Sequence, residues 1–143
     1  MIFVDTWAWL ALAVNRDQHH EPAMRQHQQL QHDGRRYVTS DWVLGELITN
    51  LYRMSDADKA ARFVGSVLQA IRRNQYRLVP VTPDQFDQAW TLRQKYHDKP
   101  DISFTDLTSM VIMRELGISD VFTGDRHFEH VGLGFSLLPT PSV

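Results

Sequence analysis

The chain opens, after Met1, with the stretch IFVDT (residues 2–6), in which three apolar residues are followed at once by an acid and a hydroxyl residue. A short apolar run of this kind is typical of a buried strand. We therefore predict a strand over Ile2–Asp5 and a helix over Thr6–Ala13. The apolar stretch from Trp7 to Val14 is far shorter than the ~20 residues of a membrane span, and no basic segment precedes it, so we expect neither a membrane anchor nor a signal peptide.

The same alternation of strand-like and helix-like patterns continues along the chain. Helices are indicated by apolar residues three and four positions apart, and by start signals such as the capping box TPDQ at residues 82–85. The predicted helices are His20–Asp33, Asp41–Arg53, Ala57–Arg73, a helix that begins after Thr82, and Ser103–Leu116. In the helix after Thr82, four residues are predicted to lie inward or along its side: Phe86, Ala89, Trp90 and Arg93. The predicted strands are Tyr37–Thr39, Leu78–Val81, Val121–Thr123 and Phe135–Leu138. This order predicts a single α/β domain over residues 1–143, with a mostly parallel sheet covered by helices on both faces.

Composition restricts the chemistry that the chain supports. Without cysteine it forms no disulfide, zinc–thiolate site or cysteine nucleophile, which agrees with a reducing cytoplasm. Its 15 basic and 17 acidic residues give a net charge of −2, whereas proteins that hold nucleic acid by bulk attraction are usually basic. If the protein acts on RNA, it does so at a local site where metal ions offset its own negative charge.

Four acids fall where a parallel sheet collects ligands. Asp5 ends the first predicted strand, and Asp125 comes one residue beyond the predicted strand Val121–Thr123, after Gly124. Glu46 lies in the first two turns of the helix after the second strand, and Asp106 lies in the first turn of the helix before the fourth. Ligands of open α/β sheets bind at the carboxyl ends of the strands, near the point where the strand order reverses. The four acids can therefore meet at one edge of the sheet.

Each acid also has a purely structural explanation. Asp5 could cap the helix after it, and Asp106 follows Ser103 by three residues, as in a capping box. Glu46 could be solvated, and Asp125 could be an ordinary turn residue. Carboxylates that converge, however, repel one another and need a cation. Oxygen-only ligands favour a hard ion, Mg²⁺ or Mn²⁺, which suits phosphodiester hydrolysis with either one ion or two.

Four segments, in order and spacing, resemble the PIN domain and, more narrowly, the VapC toxins of toxin–antitoxin pairs. They are IFVDT (2–6), TSDWVLGE (39–46), ISFTD (102–106) and FTGDRHF (122–128). The resemblance covers essentially the whole chain. It implies a PIN-like three-layer α/β/α fold with a mostly parallel, twisted sheet of four to five strands, and a magnesium-dependent endoribonuclease.

The resemblance also implies the site. The family's acidic residues align with four acids of this chain, which are the predicted catalytic and metal-binding residues: Asp5, Glu46, Asp106 and Asp125. Thr6 and Thr123 align with small hydroxyl residues that often support the family's site. Asp101, in the loop after Pro100, is a further acid that could take part and ranks below Asp106. No acid of the set is missing, so we expect an active enzyme.

The resemblance implies partners as well. Family members are usually homodimers, and a cognate VapB-like antitoxin inserts a segment over the active site. The helical pair Asp41–Arg53 and Ala57–Arg73 resembles the region that grips such an antitoxin. The form Ser-Phe-Thr-Asp at residues 103–106 resembles that of members which cut structured RNA, either tRNA or rRNA. We expect a cytoplasmic toxin that cleaves one of these.

Other conspicuous residues have simpler interpretations. Arg126 and His127 could contact phosphate or help proton transfer, but on general grounds we interpret them as surface turn residues. The tryptophans lie in apolar-patterned elements, and we expect core or dimer contacts from them rather than base stacking: Trp7, Trp9, Trp42 and Trp90.

Two other functions compete with the ribonuclease. A phosphatase of the haloacid dehalogenase type would use Asp5 as its nucleophile, but that class needs a second aspartate two residues later, where this chain has Trp7. A non-catalytic protein that binds an antitoxin, and with it DNA, would have no need of the complete set of acids.

Overall fold

The computed structural model describes residues 1–141. Its strands are β1 (Ile2–Val4), β2 (Tyr37–Ser40), β3 (Tyr76–Val79), β4 (Asp120–Phe122) and β5 (Ser136–Leu138). Its helices are α1 (Thr6–Ala13), α2 (His20–His32), α3 (Asp41–Met54), α4 (Ala57–Arg72), α5 (Pro83–Lys95), α6 (Phe104–Leu116) and α7 (His127–His130). Among residues 1–141, no helix combines the length and the apolar content that a membrane crossing requires.

The five strands form one sheet in the order β3-β2-β1-β4-β5, and every neighbouring pair is parallel. The chain builds outward from β1 through β2 to β3, then returns to the other side of β1 for β4 and β5. Phe3 is therefore paired with Val38 on one side and with Val121 on the other. The strand order reverses between β1 and β4, which is where such sheets bind their ligands. The predicted α/β/α fold with a parallel sheet is confirmed.

Strand β1 and helix α6 lie at the centre of the core. The three residues of β1 are fully buried, as the apolar run at the start of the chain indicates. Helix α6 is buried continuously from Thr105 to Met113, and Ser103 caps its first turn by accepting from the main-chain N–H of Asp106 at 3.0 Å. A helix that is apolar on most sides has to be buried, so α6 fixes Asp106 against the sheet.

Two predictions about the third strand and the following helix are wrong. Strand β3 spans Tyr76–Val79 instead of 78–81, because Pro80 has no N–H to pair and the N–H of Val81 donates to Asp41 Oδ1 at 2.9 Å. In α5, Phe86 and Trp90 are 44% and 53% exposed.

The inward stripe of α5 consists of Gln85, Ala89 and Leu92, so Ala89 is buried as predicted, whereas Gln85 and Leu92 take the place of the two aromatic residues. Gln85 is drawn inward by two contacts. It closes the capping box with Thr82, and its side chain donates to Glu115 of α6 at 2.8 Å. These polar contacts rotate the helix so that two large aromatic side chains face outward.

Candidate active site

Asp5 lies at the end of β1, where the chain turns into α1. The residue is 2% exposed and its side chain makes no capping hydrogen bond, so helix capping does not account for it. Oδ2 accepts a 2.8 Å hydrogen bond from Thr123 Oγ1. Oδ1 is buried and has no hydrogen-bond partner among residues 1–141. A buried carboxylate oxygen without a partner is costly unless a ligand satisfies it.

Thr123 joins the ends of β1 and β4. Its buried hydroxyl donates to Asp5 and accepts from the main-chain N–H of Asp125 at 3.0 Å. A hydroxyl can do both at once because it has one donor and two acceptor positions. The side chain therefore fixes two of the acid-bearing segments relative to each other.

The loop that carries Asp125 passes very close to Trp7. A Cβ atom at Gly124 would lie 2.2 Å from a ring carbon of Trp7, so only glycine fits there. Beyond the glycine, Asp125 Oδ1 accepts from the main-chain N–H of His127 at 2.9 Å. Asp125 thus makes a local turn contact while its charge acts on both Asp5 and Asp106.

Asp106 and Glu46 come from helices on the two sides of the cluster. Asp106 is 6% exposed in the first turn of α6. Glu46 of α3 is half-buried, and its Oε1 accepts a 2.9 Å hydrogen bond from Thr6 Oγ1 in α1. The charge of Glu46 acts on Asp106. The structure therefore brings all four predicted acids, and both predicted threonines, to one edge of the sheet.

Burial and mutual repulsion make two of these acids hard to ionise. Burial raises the pKa of Asp5 from its ordinary value of 3.8 to about 8, and the charges of Asp106 and Asp125 add to this effect. Burial also raises the pKa of Asp106, to about 7, with further contributions from Asp125 and Glu46. The hydrogen bond from Thr123 acts in the opposite direction on Asp5, but burial prevails.

The cluster fits a divalent cation. Among residues 1–141, no lysine or arginine forms an ion pair with Asp5, Glu46, Asp106 or Asp125. The donors are carboxylate oxygens, which hard ions prefer, and one of them, Asp5 Oδ1, is buried without a partner. Both observations point to a cation that is not a protein side chain.

Asp101 lies apart from the cluster. It is exposed in the loop before α6 and lines a cavity of about 290 Å³ together with His127 and His130. Among the described residues, the convergent group of ligand atoms consists of Asp106, Asp125 and His127 and does not include Asp101. Its position is that of a rim residue.

The interpretation of His127 as a surface turn residue is wrong. Its side chain is 29% exposed, and Nδ1 lies 3.1 Å from Asp125 Oδ1 and 3.6 Å from Asp106 Oδ2. The sequence offered one signal for a role at the site, because His127 comes two residues after the acid Asp125. The helix α7, which turns the ring inward, has only four residues and is too short to show a periodic pattern. Arg126, in contrast, is exposed and pairs with Glu129 at 3.3 Å, as expected of a surface residue.

An aromatic cluster borders the acids. The rings of Trp42, Phe86 and Phe104 pack with centroids 5.0–5.8 Å apart. Trp42 is one helical turn before Glu46, and Phe104 is two residues before Asp106. Edge-on and tilted aromatic contacts of this kind stabilise the packing of neighbouring helices, here α3, α5 and α6.

Comparison with known proteins places this geometry in a family. The sequence matches the PIN domain over residues 2–133. It is 34% identical over 132 residues to the 23S rRNA-specific endonuclease VapC20 of Mycobacterium tuberculosis, a match that covers 92% of this chain and 95% of the relative.

Two solved structures have a similar fold. The crystal structure of Mycobacterium tuberculosis VapC20, described as a Sarcin-Ricin loop cleaving toxin, superposes with a TM-score of 0.77 at 34% identity and covers 92% of this chain and 95% of that one. PAE2754 from Pyrobaculum aerophilum superposes with a TM-score of 0.61 at 17% identity, covering 96% and 89%. The second likeness concerns the fold alone.

Proposed function

Because the chain belongs to the PIN domain family of ribonucleases, we propose that it is a divalent-metal-dependent endoribonuclease that acts as the toxin of a VapBC-type pair and cleaves rRNA. One observation carries the proposal. Asp5 Oδ1 is buried without a hydrogen-bond partner, in a cluster of acids that no lysine or arginine of the described residues neutralises. The missing positive charge matches a bound Mg²⁺ or Mn²⁺.

The metal-binding and catalytic roles fall to the same side chains. Asp5, Asp106 and Asp125 would hold the ion, with Glu46 at the edge of the cluster. A divalent ion bound there supplies Lewis-acid stabilisation of the charge that develops on the scissile phosphate. The chain's own contribution is to hold the four carboxylates at one place before RNA arrives, which avoids reorganisation during the reaction.

Two hydroxyl side chains preserve that arrangement. Thr123 orients Asp5 through its 2.8 Å hydrogen bond, and Thr6 orients Glu46 through a bond of 2.9 Å. Such supporting partners commonly affect metal affinity by about 10- to 100-fold. We assign both threonines positioning roles.

The proposed substrate is a structured loop of rRNA. A relative that is 34% identical over 92% of this chain is named a 23S rRNA-specific endonuclease, and its structure is described as that of a toxin which cleaves the Sarcin-Ricin loop. A net charge of −2 suits recognition at one local site more than binding along a long duplex. Cleavage of tRNA is the alternative.

The proposed protein partners are a VapB-like antitoxin and a second copy of the chain, in the cytoplasm. Helix α4 contributes to an open groove of about 410 Å³, whose other walls include Trp9 and Tyr76, and this groove suits an apolar antitoxin segment. The outward faces of α3 and α5 carry four exposed apolar side chains, which suit a homodimer contact: Ile48, Tyr52, Phe86 and Trp90.

Incubation of the metal-free protein with purified, protein-free 23S rRNA and, separately, with total tRNA tests the proposal. We expect cleavage within 23S rRNA when Mg²⁺ or Mn²⁺ is added, none in EDTA, and a loss of at least about 100-fold in Asp5→Asn and Asp106→Asn. The exposed Asp101→Asn is the matched control and should retain activity. Cleavage of tRNA but not rRNA would contradict the substrate, and cleavage that survives EDTA and both variants would contradict the mechanism.

A further inference from the structure

His127 extends the cluster of acids beyond the carboxylates. It is the first residue of α7, two positions after Asp125. Ligand atoms of Asp106, Asp125 and His127 all lie within 4.8 Å of one another. The main-chain N–H of His127 donates to Asp125 Oδ1 at 2.9 Å, which ties the backbone at the start of α7 to the acid.

The imidazole nitrogen that faces the acids has no hydrogen-bond partner. Nδ1 is buried and makes no hydrogen bond among residues 1–141, although Asp125 Oδ1 is 3.1 Å away. The oxygen therefore lies off the direction that an N–H bond would need. If the proton is on Nε2, the lone pair of Nδ1 and the carboxylate oxygens face the same space, which a cation would make favourable.

The distances are those of ligands around one ion. In an octahedral site with bonds of about 2.0–2.1 Å, adjacent ligand atoms are about 2.9 Å apart. Nδ1 lies 3.1 Å from Asp125 Oδ1 and 3.6 Å from Asp106 Oδ2. All three ligand atoms lie within 4.8 Å of one another, which places them within reach of one ion.

We propose that His127 is a nitrogen ligand of the ion held by Asp106 and Asp125, and that it makes the site select Mn²⁺ over Mg²⁺. This inference rests on the proposed metal-dependent function. Mg²⁺ takes oxygen ligands almost exclusively, whereas imidazole binds transition-metal ions, so one nitrogen among the carboxylates favours Mn²⁺.

Pulsed electron paramagnetic resonance of bound Mn²⁺ tests the ligand directly. The whole chain, stripped of metal, is loaded with one equivalent of Mn²⁺, and the modulation from a coordinated ¹⁴N nucleus is recorded. We expect this modulation in the parent protein and a ¹⁵N pattern after labelling with ¹⁵N-histidine. His127→Gln should abolish it. His130→Gln, on the same short helix with its ring centroid 6.5 Å from that of His127, is the matched control and should keep it.

Calorimetric titration with each metal alone tests selectivity. In His127→Gln we expect affinity for Mn²⁺ to fall by about tenfold or more and affinity for Mg²⁺ by less than about threefold. Equal losses for the two metals would overturn the selectivity.

The outcomes separate the two proposals. If Mn²⁺ binds the parent but not Asp106→Asn, and no histidine nitrogen is detected, His127 is not a ligand. The metal-dependent function would then still stand. Absence of Mn²⁺ binding to a parent that still binds Mg²⁺ would overturn the role of His127 alone, and absence of binding of both metals would overturn both proposals. If His127→Gln does not fold, the isotope experiment on the parent still shows whether a histidine nitrogen binds the ion, and a signal that persists in His130→Gln excludes the neighbouring histidine.

Discussion

Thr123 Oγ1 donates a 2.8 Å hydrogen bond to Asp5 Oδ2, although the two residues are 118 positions apart in the sequence. Parallel pairing of β1 with β4 brings them together, with Val4 opposite Phe122 at the ends of the two strands. The same hydroxyl also accepts from the main-chain N–H of Asp125. One buried side chain therefore holds two of the four acids in place.

Replacement of Thr123 by valine should weaken metal binding without unfolding the protein. Valine keeps the shape of threonine but cannot donate to Asp5 or accept from Asp125, so we expect affinity for Mn²⁺ to fall by about 10- to 100-fold. Calorimetric titration measures this change. Thr123→Ser keeps the hydroxyl and should stay close to the parent. Equal affinity in the valine variant would show that the hydrogen bond does not position the acid.

The stability of the metal-free protein should decrease as the pH rises. Burial raises the pKa of Asp5 to about 8 and that of Asp106 to about 7, from 3.8 in both cases. Between about pH 4 and pH 8, the native state therefore holds protons that the unfolded state has released. The stabilising contribution of these groups is complete below about pH 4 and is lost as the pH passes through 7 and 8.

Thermal unfolding in EDTA at several pH values measures this effect. Asp5→Asn cannot ionise, so its melting temperature should gain on that of the parent as the pH rises from 5 to 8. Asp101→Asn, at an exposed acid, should follow the parent throughout. If the melting temperature of the parent rises steadily from pH 5 to pH 8, and that of Asp5→Asn rises by the same amount, the assigned burial of the acids would be contradicted.

A methyl group at Gly124 should disturb the site through Trp7. Gly124→Ala places Cβ 2.2 Å from the Trp7 ring, so the loop or the ring must move. Forced contacts of this kind cost about 1–3 kcal/mol. Gly65→Ala, in the exposed part of α4 with open space around it, should instead be neutral or stabilising.

Chemical denaturation and Mn²⁺ titration of both glycine variants test this expectation. Gly124→Ala should lower both the free energy of unfolding and the metal affinity. Combination with Trp7→Leu should recover part of both losses, because the smaller side chain leaves room for the methyl group. A fully stable Gly124→Ala variant with unchanged metal affinity would show that the close approach is unimportant.

The outward face of α5 should take part in self-association. Trp90 is 53% exposed, and a lysine there would place a charge in the proposed homodimer contact. We expect Trp90→Lys to raise the dimer dissociation constant by about tenfold or more, as for other large aromatic interface residues. Analytical ultracentrifugation measures it, with Gln69→Lys on exposed α4 as the control. If the dimers of both variants are equally stable, Trp90 is not part of the dimer contact.

Much of the fold could be predicted because its signals are local. The apolar run at residues 2–4, the capping box at 82–85 and the apolar helix closed by Gly117 each depend on nearby residues. The convergence of Asp5 and Asp125 also follows from the sequence, since both lie just beyond the carboxyl ends of strands of one parallel sheet. These features required no knowledge of tertiary contacts.

The remaining features depend on tertiary contacts that no periodic pattern encodes. The outward rotation of Phe86 and Trp90 results from the hydrogen bond between Gln85 and Glu115, which are 30 positions apart. The inward direction of His127 results from the short helix α7 and the tie to Asp125. Likewise, the close approach of Gly124 to Trp7 joins two segments that are remote in sequence.

The location of a bound ion tests the central claim most directly. Crystals of the whole chain grown with Mn²⁺ should show an anomalous scattering peak within coordination distance, about 2.0–2.3 Å, of carboxylate oxygens from Asp5 and Asp106. The same peak should be absent from crystals of Asp106→Asn. A structure saturated with Mn²⁺ that has no peak at these carboxylates, or has its only peak at another part of the molecule, would contradict the account.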